Sequence, residues 1–263
     1  LVGLTLNNLY GFCGIYEIPD VVSYPLTVFL VMLTVNAVNL IDGIDGLASS
    51  LSLIAFVAYT WAFWHWGMNI FCLFTAAISG SLIVFIWYNM WGDTEKGTKI
   101  FMGDSGSLML GYALSYLMLK FCSFNDIKEP EPYSLVLAYT LLLIPNFDLI
   151  RVAVGRILRG EHPFHADMTH LHHRLMRTGN YMHMALLTIL VADLLFGLLN
   201  MGMYLAGCNL TWIVLADVVL FTAWQRHIDR AIARNEERLA LETNLREELK
   251  EVDVQVLKGV VYI

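Results

Sequence analysis

Uninterrupted apolar runs of about 20 residues constrain this chain most, because a helix of that length crosses the hydrocarbon layer of a bilayer. Seven stand out, at roughly 22–41, 47–66, 69–91, 105–124, 133–153, 182–206 and 209–225. In lipid every backbone polar group must be bonded within its own segment, so such runs form helices. The expected fold is all-α, a polytopic transmembrane helix bundle of about seven spans. Composition agrees: 57% of residues are hydrophobic and 15% charged, against about 45–50% and about 25% in soluble domains.

Residues 1–225 are expected to form the membrane core, with 1–20 either the end of an earlier span or an interfacial piece. The chain opens at Leu1 in an apolar stretch, from which a preceding N-terminal part is expected. Residues 226–263 read as a charged C-terminal helix. Opposite charges recur at three- and four-residue spacings in "IDRAIARNEERLALETNLREELKEV", the pattern of a solvated helix or a self-association helix. A homodimer is the expectation of the second reading. Cys13, Cys72, Cys122 and Cys208 lack ligand spacing and give no disulfide or zinc framework. The net charge of −7 is spread along the chain and indicates no nucleic-acid partner.

Lysine and arginine set the orientation. With seven spans, 14 of the 16 fall on one side and only Lys120 and Lys128 on the other. The basic side, with the charged tail, is therefore expected to be cytoplasmic. The same parity brings three polar segments to that side: "DGIDG", "GDTEKGTKIFMGDSGS" and "GEHPFHADMTHLHHRLMRTG".

In "NAVNLIDGIDGLASS", Asn36, Asn39 and Asp42 lie in the last turns of the first span, each about 60° round the helix from the previous one. Gly43 and Gly46 make a break cheap, so Asp45 can swing back toward them. An ordinary turn explains one "DG", not a doubled one with two asparagines deeper in the apolar zone, where polar groups are costly. In "IFMGDSGS", Gly103 and Gly106 bracket Asp104 where the fourth span begins. Backbone N–H groups at such a helix start suit phosphate oxygens, and a neighbouring carboxylate suits magnesium; a plain Ser or Asp cap needs only one of these residues. "GDTEKGTK" is no P-loop, since it lacks adjacent Gly-Lys and follows no strand.

The third segment holds His162, His165, His170, His172 and His173 with Arg174 and Arg177. Zinc is one reading, but no cysteine joins and no HExxH is present. Phosphate contact or proton transfer is favoured. Asp148 is either an ion-pair partner of Arg151 or part of the site. Asp193 and Asp217, near mid-depth, either hydrogen-bond with each other or Asn200, or serve a proton or ion path. Trp61, Trp64 and Trp66 read as an outer aromatic belt.

"NAVNLIDGIDGLA", "FMGDSGSLMLG", "PNFDLIR" and "HPFHADMTHLHHRL" together closely resemble the polyprenyl-phosphate N-acetylhexosaminyl-1-phosphate transferases, the undecaprenyl-phosphate GlcNAc-1-phosphate transferase-like proteins of glycosyltransferase family 4. The motifs stand in the same order over residues 36–175, and the resemblance covers about the first 225 residues. It implies a magnesium-dependent enzyme (manganese being the alternative metal) of the bacterial inner membrane, multi-pass, with its active site facing the cytoplasm. Undecaprenyl phosphate attacks the sugar-side phosphorus of a UDP-N-acetylhexosamine, UMP leaves, and a lipid diphosphate sugar forms. This is the first membrane step of cell-surface glycans such as lipopolysaccharide. By analogy Asn39 and Asp104 hold the metal. Asn36, Asp42 and Asp45 line the nucleotide-sugar pocket, Asn89 lies near the uridine and Phe101 stacks on the base. His170, His172, His173 and Arg174 contact the diphosphate or sugar. Asp42, Asp45, Asp104 and His170 are the candidate catalytic residues.

Two departures stand out. The family carries a paired-aspartate motif and further spans upstream; the resemblance implies that about the first third of the usual core is not in this chain. The link "MWGDTEKGTKI" is also longer than usual. "HLHHRL" is closer to the GlcNAc-1-phosphate branch than to the phospho-MurNAc-pentapeptide translocases with three consecutive histidines, so UDP-GlcNAc is the expected donor and the translocase the alternative. Three other readings compete. A proton-coupled transporter would use Asp193 and Asp217, but the expected outer links are too short for a gate. A CDP-alcohol phosphatidyltransferase needs an Ala-Arg and two later aspartates that are missing. The third is an assembly subunit without activity.

Overall fold

The computed structural model describes residues 4–122, 132–162 and 169–260. His165 and Lys128 lie outside them. The elements run β1 (Asn8–Phe12), β2 (Ile15–Glu17), α1 (Asp20–Ile41), α2 (Leu47–His65), α3 (Asn69–Trp91), α4 (Gly103–Cys122), α5 (Pro132–Thr140), α6 (Leu143–Leu158), α7 (Leu171–Arg177), α8 (Met182–Leu205) and α9 (Leu210–Val260). This is a nearly all-α polytopic membrane architecture.

Residues 8–17 are not the end of a helical span. They form an antiparallel hairpin in which Phe12 faces Ile15 and Asn8 faces Glu17. Cys13 and Gly14 both take left-handed φ, 52° and 79°, as the twist of a two-residue hairpin turn demands. Side chains moor it: Tyr10 donates to the Cys122 carbonyl at 2.6 Å, and Cys13 N–H donates to Thr211 Oγ1 at 2.6 Å. The hairpin thus closes the bundle end where α1 and α9 begin and α4 ends.

Four helices among the described residues, α1, α2, α3 and α8, are long and apolar enough to cross a membrane. α5 and α6 add a fifth if they are one broken span, bent by 63°. α4 and the first part of α9 also run between the two ends of the bundle, and two features keep them out of that count. α4 forms where expected but carries Asp104, three serines and Lys120 within 20 residues. The apolar part of α9 ends at Trp224, only about 22 Å from its start at 1.5 Å per residue, before Gln225 and Arg226. The bend replaces one straight span over 133–153. It falls at Leu141–Leu142, and Pro145, which has no N–H to donate, lies in the next turn.

α1 packs antiparallel on α4 at the smallest available residue. A Cβ on Gly111 would lie 2.8 Å from Val35 Cα, so the glycine permits the close approach that membrane helices use in place of apolar burial. One turn further along, the same contact brings Ser107 to Asn39. α2 is the central helix, with Phe56, Tyr59 and Phe63 fully buried. Trp66 departs from the expected belt and stacks on Phe121, ring centroids 4.8 Å apart; Trp61 and Trp64 are exposed.

The mid-depth carboxylates do not bond to each other. Asp217 Oδ2 accepts from Tyr139 Oη at 2.9 Å and from Asn200 Nδ2 at 3.0 Å, and Asn200 also donates to Thr140 Oγ1. Asp217 therefore ties α9 to α8 and to the end of α5, the Asn200 bond foreseen among the bland alternatives. Asp193 instead lines a cavity of about 210 Å³ between α5 and α8, beside Thr140 and Gly197. The boundary at residue 225 is marked by no break, because α9 runs through it as one 51-residue helix.

Candidate active site

The three polar segments meet at the end of the bundle opposite the hairpin. α1 stops at Ile41 and the chain turns through Asp42–Gly46, where Gly46 takes φ +80° as the N-cap of α2. Asn89, buried near the end of α3, holds this turn: its Oδ1 accepts from Gly46 N–H at 2.7 Å. Its Nδ2 donates to the Ile100 carbonyl at 2.8 Å and points at Asp45 Oδ1, 3.5 Å away. The long link after α3 is a closed loop. Asp93 Oδ1 accepts from the N–H groups of Glu95 and Lys96, and the far end delivers Lys99, whose Nζ donates to Asp45 Oδ2 at 2.6 Å.

At the start of α4, Ser107 Oγ donates to Asn39 Oδ1 at 2.6 Å. Asp104 lies exposed on the first turn. Burial raises the Asp42 carboxyl above the ordinary carboxylate range, and nearby Asp45 and Asp104 raise it further. Three carboxylates thus converge, with Lys99 bonded to one of them.

The histidine segment closes over the turn from the other side. Asp148, 2% exposed on α6, anchors it: Oδ1 accepts from Arg151, and Oδ2 accepts from Leu171 N–H at 3.1 Å and lies 3.0 Å from His170 Nδ1. Arg151 also donates to the Thr169 carbonyl at 2.6 Å. Asp148 is therefore both an ion-pair partner and the organiser of the segment. His172, 1% exposed, lies against Gly43, where a Cβ would come within 2.1 Å of its Nε2. Among the described residues neither His172 ring nitrogen has a hydrogen-bond partner. Burial pushes this imidazole down to about 4, and His173, with its ring 4.2 Å away, adds to the effect.

The structure brings Asp42, Asp45, Asp104, Asn39, Asn89, His170, His172 and His173 to one mouth. Three expected residues stand apart. Asn36 is exposed and its amide donates to the Met32 carbonyl of its own helix. Phe101 is 70% exposed, with Lys99 Nζ 5.7 Å from its ring centroid. Arg174 turns to α9 and donates to Gln225 and Asp229. Ser107 belongs to the "MGDSGS" element already marked by its sequence, whereas the roles of Lys99 and Gln225 are not legible there. A lone lysine in a loop carries no distinguishing pattern.

Among the described residues no three His, Cys, Asp or Glu side chains gather at metal-ligand spacing. The mouth nevertheless offers oxygen donors only at Asn39, Asp42 and Asp104, and its crowded carboxylates favour a cation. That donor set fits magnesium as part of a shell, since this ion usually keeps waters and shares substrate phosphates.

Fold and mouth together define a polytopic helical membrane protein with its chemistry-bearing side chains at one end. Residues 1–122 match the family model described as glycosyl transferase family 4. It is 30% identical over 129 residues to the undecaprenyl-phosphate alpha-N-acetylglucosaminyl 1-phosphate transferase of Escherichia coli strain K12, covering 49% of this chain and 34% of that protein. With the Yersinia pestis protein of the same name it is 31% identical over 158 residues, 59% of this chain and 41% of the relative. With that of Pasteurella multocida it is 30% identical over 137 residues, 51% and 36%. The chain spans between a third and about two-fifths of the length of these relatives.

Proposed function

We propose that the mouth takes part in transferring N-acetylglucosamine 1-phosphate from UDP-GlcNAc to undecaprenyl phosphate at the cytoplasmic membrane surface. An oxygen of the lipid phosphate bonds to the sugar-side phosphorus, the bond from that phosphorus to the bridging oxygen breaks, and UMP leaves. The observation that carries this reading is the meeting of His172 with Gly43. It joins the histidine segment, the Asp-Gly turn and, through Asn89 and Asn39, the starts of α2 and α4 into one oxygen-rich site. Two further supports are the names of the relatives, which supply acceptor and sugar, and the lysine and arginine expected on this side, which favour a cytoplasmic mouth.

Phosphoryl transfer asks a protein mainly to position groups and neutralise charge. Asn39 and Asp104, with Asp42 beside them, would hold magnesium, which neutralises the diphosphate oxygens when bound. Asp148 fixes His170 with its Nδ1 proton facing the carboxylate, leaving Nε2 to take the proton of an incoming phosphate monoester. His172, uncharged at neutral pH, presents one N–H donor and one acceptor to a diphosphate or sugar hydroxyl. Asn89 keeps the Asp-Gly turn in place, and Lys99 holds Asp45 while adding a positive charge at the nucleotide edge. A mouth at the membrane surface lets a soluble nucleotide meet a lipid phosphate without either leaving its own solvent.

The test is Asp104→Asn, measured as UMP release in membranes that contain the protein, with UDP-GlcNAc and undecaprenyl phosphate supplied. The expected result is a loss of at least about 100-fold, the scale of removing one electrostatic group from a transition state. Turnover within a few-fold of wild type would remove Asp104 from the site.

A further inference from the structure

The charged extension of α9 lies outside the family match and was read from sequence as a solvated helix. Its first three turns are instead packed. Leu171 and Leu175 of α7 share one apolar cluster with Ile228 and Ile232 of α9, all four buried. The polar contacts at Gln225, Asp229, Asn235 and Glu236 interleave with Ile228 and Ile232, so that contact positions recur every three to four residues along one α9 face over three turns. Arg174, only 7% exposed, donates to the Gln225 side chain, to the Gln225 carbonyl at 3.3 Å and to Asp229. Arg177 donates to Glu236 at 2.6 Å, and Asn235 Nδ2 donates to the Arg177 carbonyl at 2.9 Å. Gly179, at φ +92°, lets the chain leave α7 past Asn235, where a Cβ would come within 3.0 Å of Oδ1. Past Glu236 the described side-chain bonds stay within the helix, as Arg238 with Glu242 and Thr243 with Leu239.

α7 is a helix of seven residues, too short to hold itself in water. Asp148 fixes its first turn and this stripe fixes the rest. We infer that residues 225–236 of α9 are a brace that sets the pose of the histidine-bearing helix over Gly43, with Gln225 and Asp229 as positioning residues acting through Arg174. A nearly buried guanidinium that loses its partners is costly, so α7 follows wherever Arg174 must go. The consequence for catalysis rests on the transferase reading above; the placement of α7 does not.

Hydrogen exchange of the whole chain in lipid nanodiscs separates the two. Asp229 has a side chain 66% exposed, so Asp229→Ala leaves the core packed, and Gln225→Ala is its companion. Each is expected to speed exchange of the residue 170–178 amides about tenfold, with α2 and α3 unchanged. Asp229→Glu should restore protection, and the distal Glu242→Ala should behave as wild type. Unchanged protection of α7 in both alanine variants overturns the brace. So does equal loosening by Glu242→Ala, since the tail would then act as a whole. With UDP-GlcNAc, Asp229→Ala should lower kcat about tenfold more than it raises KM, because α7 is misplaced rather than a contact deleted. Loosened α7 with unaltered turnover overturns the positioning role. Loosened α7 in a protein whose unsubstituted form makes no lipid-linked sugar leaves the brace standing and removes the transferase reading instead.

Discussion

The hairpin end and the mouth end of the bundle differ in charge: neutral hydrogen bonds tie the first, whereas ionisable side chains crowd the second. At the hairpin, Leu6 N–H donates to Thr27 Oγ1, Ser23 Oγ donates to the Leu6 carbonyl, and Tyr10 and Cys13 bond across to α4 and α9. Beside it Tyr59, Phe63, Trp66 and Phe121 form one aromatic stack. At the mouth, three carboxylates crowd together and a buried imidazole has no partner for either nitrogen among the described residues. An unpartnered buried polar group costs about 1–3 kcal/mol. Tyr59 Oη at the hairpin end is likewise buried without a partner among the described residues, so it is the crowding of charge, which a ligand can relieve, that separates an end built for stability from an end built for binding.

Substituting a glycine at each end tests the contrast most severely. At Gly43 the new methyl group meets the His172 ring at 2.1 Å, and His173 blocks the ring's retreat. Gly43→Ala should displace α7, cost about 1–3 kcal/mol as an overpacked contact and reduce UMP release at least tenfold. At Gly14 a Cβ meets nothing within 4 Å, and only the left-handed φ of 79° is penalised. Gly14→Ala should lower stability by about 1 kcal/mol and leave turnover unaltered. If both variants affect turnover and stability in the same proportion, the two ends are not functionally distinct.

Most of the mouth was legible because its residues cannot be explained as membrane helix. Asn39, Asp42, Asp45 and Asp104 stand out against apolar surroundings, and the doubled Asp-Gly marks its own turn. The charge count brought the loops to one side, and contacts such as His172 on Gly43 agree with that. What could not be read depends on tertiary partners. Asn36 and Asn39 look equivalent in sequence, yet only Asn39 faces α4, because Gly111 selects which face of α1 is approached. Arg174 belongs to the histidine motif by spacing but turns to α9, whose stripe at Gln225 and Asp229 is hidden among ordinary helical charges. The hairpin was missed because five strand residues interrupted by glycine give no alternating pattern. Among the described residues fewer helices pass as spans by length and composition than there are apolar runs, because serines, a bend or a short length interrupt some of them.

Acid should weaken the mouth by way of His172. Its folded pKa of about 4 lies below the ordinary 6.5, so the unfolded chain binds the proton more tightly. Stability is complete above about pH 6.5 and falls as the pH drops toward 4, by on the order of 2–3 kcal/mol. Asp42 acts in the opposite sense. Its raised carboxyl binds a proton more readily when folded, so acidification relieves its crowding. His172→Gln therefore isolates the histidine contribution: subtracting its unfolding curve from that of wild type should leave a drop confined to that window. A difference that is flat across the window would mean that the imidazole is not buried as described.

The smallest effect lies at the other end. Tyr10→Phe removes the bond to the Cys122 carbonyl and keeps the ring in place. The carbonyl ends a helix at the moored side, and leaving it without this donor should cost about 1 kcal/mol. Thermal unfolding should register that loss, while UMP release at a temperature well below the transition stays at the wild-type value. The separation follows from distance and rigidity: α4 carries Tyr10's partner at its last residue and Asp104 at its second, with 17 residues of helix between them. A loss of turnover without a loss of stability would show that strain at the hairpin travels along α4 to the carboxylates, and the two ends would then have to be treated as one device.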